Sequence, residues 1–162
     1  MKYHNDALQA AQTLCKEDVA LCQKNYDANR AGQAERRCLI RAGFAFIEAW
    51  VHSCRYQSVL GEKNKIPVKV PATQNVEEAL TELASILESS HTIDRQAPGR
   101  CDMKQAYKIR DRITHPKAVS DLHISDGDMN VFVRAVKWFS DTAGSIEEKR
   151  KTAPTTESTP AN

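Results

Sequence analysis

Between residues 34 and 60 the chain carries two interleaved apolar sets at helical spacing. One is Leu39, Ala42, Phe46 and Trp50; the other is Ile40, Phe44, Ile47 and Val51. An ordinary surface helix buries a single stripe, so a helix apolar over this much of its circumference has to be covered from several sides. That requirement makes the segment the central element of a bundle. The partners that would cover it are legible as further helices. Val76, Ala79, Leu80, Leu83, Ile86 and Leu87 form a clean amphipathic stripe, with Asn75 and Glu78 spaced as a capping box at its start. A helix is expected from about Cys101 to Thr114. Ser125 and Asp128 open a last one, with Met129, Phe132, Val136, Phe139 and Ala143 on one face. Residues 5 to 29 repeat Ala7, Ala10, Ala11, Leu14, Val19 and Cys22 at helical spacing, and "ANRAG" breaks the pattern.

Strand signals are nearly absent: "IPVKV" alternates but is short and bounded by prolines, so it reads as extended loop. The expected fold is an all-α bundle of four or five mostly antiparallel helices, a single domain over residues 1–150. Residues 151–162, rich in Thr and Pro, are expected to form a disordered tail.

Composition narrows the functional classes only a little. A formal net charge of +2 neither requires nor excludes nucleic acid, so a basic binding surface would have to be local. No apolar run approaches the ~18 residues of a membrane span, and "MKYHNDALQAAQ" lacks the basic-then-apolar layout of a signal peptide, so a cytoplasmic location without membrane contact is expected. The five cysteines are odd in number and contain no CxxC pair, which fits reduced thiols and no zinc or other metal. No cofactor is expected. Trp50 and Trp138 belong to apolar helical sets and read as core residues.

The stretch "YKIRDRITHPK", residues 107 to 117, does not fit a plain bundle. On a helical wheel Met103, Ala106, Tyr107, Ile109 and Ile113 share one arc, and Arg110 lies near its centre. An unpaired buried charge is expensive, so Arg110 calls for a carboxylate on a facing helix or an anionic ligand. Glu48, embedded in the most apolar helix, is one such carboxylate. His115 precedes Pro116, which pushes it out of α geometry and ends the helix. Asp111 and Thr114 add hydrogen-bonding groups in the same turn. Lys104, Lys108, Arg112 and Lys117 surround them and are placed to track an RNA backbone. The same residues also suit a plain reading, in which Arg110 makes a structural ion pair, His115 ends a helix and the four cations form a solvated face.

Arg110, Asp111, three further residues and then His115-Pro116, at the end of a helix that precedes the last helix of an all-α bundle, resemble the signature of the HEPN superfamily. The apolar "LIRAGFAFIEAW" segment with its acid, Glu48, is similar to that family's acid-bearing helix, and the resemblance covers residues 35 to 143. It implies a metal-independent endoribonuclease of toxin or phage-defence type that acts as a homodimer on RNA, in some cases held in check by an antitoxin protein. In that reading His115 is the general acid/base and Arg110 stabilises the phosphate, with Asp111, Glu48 and Thr114 in support. Lys117 stands two residues past the histidine, where some relatives carry a modified tyrosine. The resemblance equally admits a non-catalytic helical module that binds a nucleotide or a protein partner.

Overall fold

The structure, a computed structural model, describes residues 16–17, 32–59 and 71–149. The N-terminal helix expected over residues 5–29, the "IPVKV" segment and the tail lie outside them. Among the described residues there are no strands, and four helices pack together: α1 (Gln33–Val59), α2 (Ala72–Ile86), α3 (Pro98–Thr114) and α4 (Asp126–Glu148). A short 3₁₀ turn, Val119–Leu122, lies in the connection between α3 and α4.

The two apolar sets of α1 divide the work unequally. Ile40, Phe44, Ile47 and Val51 are all buried, whereas of the other set only Leu39 is; Phe46 and Trp50 pack from the margin, both edge-on to Phe139 of α4. Tyr107 of α3 lies 4.5 Å from Phe44 between ring centroids, and Phe132 of α4 lies 6.0 Å from it. Phe44 therefore joins three helices at one point. Burying a side chain of this size stabilises the fold by about 1.5–3 kcal/mol. A Cβ at Gly43 would meet the Phe132 ring, so glycine lets that ring lie against α1.

The broadest contact is between α3 and α4. Gly99 lies against Trp138, Asp102 takes a bidentate pair from Arg134 at 2.8 and 2.9 Å, and Arg112 reaches Asp128 at 3.0 Å. These pairs advance along α3 as they retreat along α4.

Two helix starts differ from the sequence expectation. In α2, Pro71 is the N-cap and its carbonyl accepts from the Asn75 amide at 3.0 Å, so Asn75 already lies inside the helix. Glu78 takes a hydrogen bond from Gln74 Nε2 at 2.7 Å, one turn earlier. In α3 the helix begins at Pro98 instead of Cys101, with proline at the first turn, where its missing amide costs nothing. The start of α4 is as expected: the Ser125 hydroxyl accepts from the Asp128 amide, and the Asp128 carboxylate accepts from the Ser125 amide at 3.0 Å.

Candidate functional site

Arg110 sits on α3 one turn beyond the buried Tyr107, where the packed face of the helix meets solvent. Its side chain is 28% exposed. Glu48 of α1 meets one guanidinium nitrogen at 2.8 Å, and Asp111 accepts from another at 3.0 Å. Burial works against the Arg110 charge, but the bond to Asp111 and the attraction of Glu48 outweigh it and raise the arginine above its ordinary value. The carboxylate that the wheel called for is thus Glu48, itself 44% exposed. The pair is open to water and is not sealed within the bundle.

Tyr107 lines the inner side of this group. Burial first, and then the Glu48 charge, push its phenol well above the usual range, which leaves it a protonated packing residue.

The last turn of α3 is closed by its own groups. The Thr114 hydroxyl donates to the Arg110 carbonyl at 2.7 Å, and the His115 amide donates to the Asp111 carbonyl at 2.9 Å. Asp111 directs its carboxylate to Arg110, while its backbone holds His115. At φ −124° and ψ 61°, His115 has left the helix and is exposed. Beyond Pro116 the chain is turned by Asp121, whose carboxylate accepts from the amides of Lys117 and Ala118 at 2.7 and 2.9 Å. Those two bonds, the Lys117 one foremost, hold the Asp121 carboxyl below its ordinary value.

The four cations expected to line an RNA path are placed differently from one another. Lys104, Lys108 and Lys117 are exposed. Arg112 is committed to the fold, donating to the His123 carbonyl and to the Asp128 carboxylate, each at 3.0 Å.

A second set of polar residues, missed by sequence reasoning, holds the connector that carries His115. Gln33 of α1 exchanges hydrogen bonds with both backbone groups of Ile124, at 3.1 and 2.6 Å. Arg36 reaches the Ile124 carbonyl at 3.0 Å and Asp126 at 2.7 Å. Arg37 donates to the Leu122 carbonyl and Arg41 to the Ile113 carbonyl, each at 2.8 Å. The signal was present as polar residues at 33, 36, 37 and 41, one face of the helix start, but the apolar sets that follow dominate the pattern. Arg41 places a cation on a carbonyl of the last turn of α3, where the helix dipole favours positive charge.

Away from this end, a cleft of about 520 Å³ is lined by Gln74, Glu77, Glu78, Thr81, Glu82, Arg95 and Arg100, with Glu77 and Arg100 ion-paired. Among the described residues no group of three or more His, Cys, Asp or Glu side chains is placed to hold a metal ion, and no helix is long and apolar enough to cross a membrane.

Comparisons with family models, with curated proteins and with solved structures return no match.

Proposed function

We propose that this protein is a metal-independent endoribonuclease of HEPN type, built on an antiparallel HEPN-like bundle and acting in the cytoplasm as a toxin or defence component. The observation that carries the reading is the openness of the motif. Arg110 and His115 lie at one end of α3, the first partly exposed beside an exposed carboxylate and the second on the surface. The Arg110 guanidinium is held by Glu48 and Asp111 yet stays partly exposed, so an anionic ligand can reach it from the solvent side.

The chemistry needs little else. In RNA the 2′-hydroxyl adjoins the scissile phosphate, so its oxygen attacks phosphorus while the P–O5′ bond breaks. The products are a 2′,3′-cyclic phosphate and a 5′-hydroxyl. Histidine is the side chain best suited to proton transfer near neutrality. An arginine presents a permanent forked charge to the phosphorane oxygens. One histidine serves only one of the two proton transfers. A two-fold dimer bordering the end of α3 supplies two, because an isologous contact sets identical patches face to face. One His115 then takes the 2′-OH proton while the other protonates the 5′-oxygen.

A second reading draws on a specific observation: the Arg110 guanidinium is already shared between Glu48 and Asp111. In a non-catalytic module that arrangement fixes α1 to α3, and the exposed motif captures a nucleotide or a protein partner. An RNA-cleavage assay of wild type beside His115→Ala and Arg110→Ala separates the two. Both variants are expected to lose activity by at least about a hundredfold, the usual scale of a general acid/base contribution, with helical circular dichroism retained. Cleavage unchanged in His115→Ala, or absent in wild type, favours the module.

A further inference from the structure

Seven of the described arginines divide into two groups by what they bond. Arg36, Arg100, Arg110, Arg112 and Arg134 each meet a carboxylate. Arg37 and Arg41 are different: among the described residues their bonds go only to backbone carbonyls, those of Leu122 and Ile113. A carbonyl fixes a guanidinium in place without cancelling its formal charge, although at Arg41 the C-terminal dipole of α3 offsets part of it. Each bond uses one terminal nitrogen of a five-donor fork, so donors remain for a second acceptor.

Position adds to this. The two arginines are four residues apart, on one face of α1. Their acceptors bracket the His115 segment: Ile113 lies two residues before it and Leu122 seven after. Arg41 is exposed and Arg37 half-buried, and Lys117 is exposed on the bracketed loop. Beside a motif whose own arginine faces two carboxylates, this end of α1 brings two further guanidinium groups to the His115 segment.

We infer that Arg37 and Arg41 form a backbone-binding track for single-stranded RNA, holding phosphates next to the one at Arg110 and His115, in the role that Arg112 is too committed to play. The inference rests on the ribonuclease reading for its ligand. The partner class follows from the chemistry: forked donors held rigidly on backbone suit phosphate oxygens and carry no base preference.

The test uses the full chain and a fluorescein-labelled single-stranded 2′-O-methyl oligoribonucleotide, which lacks the attacking hydroxyl and is not cleaved. Binding is followed by anisotropy as sodium chloride is varied. Removing one phosphate-binding cation lowers the slope of log affinity against log salt by about 0.7 for a single strand. Arg37→Gln and Arg41→Gln are each expected to show that decrease, equally for oligonucleotides of different sequence. Arg41→Lys restores the slope, and Lys137→Gln, which removes an amine already paired with Asp141, leaves it unchanged. Should Arg41→Gln fold poorly, phenylglyoxal modification of the wild type, mapped by mass spectrometry, reports on the same arginines: bound oligonucleotide shields Arg37 and Arg41. Unchanged slopes in folded variants, unshielded arginines, or no binding by the wild type would each overturn the track. Cleavage of ordinary RNA by wild type, measured alongside, separates the readings. Cleavage with unchanged slopes removes the track and leaves the ribonuclease, whereas binding through Arg41 without cleavage keeps the track and removes the catalysis.

Discussion

At the scale of single residues, Arg110 shows how far physical chemistry reaches from sequence. A charge near the middle of an apolar arc demanded a partner, and Glu48 was among the few acids placed to provide one. The pair is only partly covered, Arg110 remaining 28% and Glu48 44% exposed. Arg37 and Arg41 gave a weaker signal, a polar face at the start of α1 that does not reveal what they bond. Their acceptors are backbone carbonyls 85 and 72 residues away, and every residue has a carbonyl, so no spacing of side-chain types announces them. Exposure also sets what Arg110 contributes to stability. Ion pairs open to water are worth about 0–1 kcal/mol, so Arg110→Ala is expected to shift the urea unfolding free energy by no more than about 1 kcal/mol. A decrease of several kcal/mol would mean that the residue is chiefly structural. Ile113→Ala, which empties a fully buried position between Arg110 and His115, should cost about 2–5 kcal/mol and serves as the contrast.

At the scale of elements, periodicity carried most of the information and capping strings carried less. The apolar stripes located α1, α2, α3 and α4, since burial repeats with the helix turn whatever the ends do. Asn75-x-x-Glu78 misplaced the start of α2 because such a string cannot reveal whether the turn before it is already wound; there, Pro71 caps the helix first. Gly99 reads as a loop residue by propensity, yet it sits in the first turn of α3 because any Cβ would collide with Trp138. Gly99→Ala should therefore lower the melting temperature, despite alanine's better helix propensity. At the start of α4 the expected capping box is present, and it sets a pH dependence. Burial pushes the Asp128 carboxyl up, but the bonds from Ser125 and Arg112 prevail and hold it below its ordinary value of 3.8. Asp102, bonded to Arg134, is lowered as well. Groups depressed in the folded state stabilise it fully above the unfolded pKa and lose that contribution as pH falls through the folded one. The unfolding midpoint should thus stay level from neutrality to about pH 4, fall below it, and fall less in Asp128→Asn, as followed by circular dichroism in urea.

At the scale of the whole molecule, the proposed reaction moves two protons, and one chain offers it one histidine and one arginine in the motif. The proposed remedy is a homodimer whose interface borders the end of α3, leaving Arg37 and Arg41 at the margins of the shared cleft. Sedimentation equilibrium at micromolar concentration should return twice the chain mass, and a fully active monomer would exclude the composite site. The central claim is that the 2′-hydroxyl of RNA is the nucleophile, with His115 and Arg110 as the groups that serve it. The measurement closest to that claim is mass spectrometry of the ends formed when the protein is incubated with a short RNA in EDTA, beside the same RNA carrying a single 2′-deoxy sugar at the cleaved position. The account predicts 2′,3′-cyclic phosphate and 5′-hydroxyl ends from the first and an intact bond in the second. Ends bearing a 5′-phosphate, or cutting at the deoxy position, would contradict it.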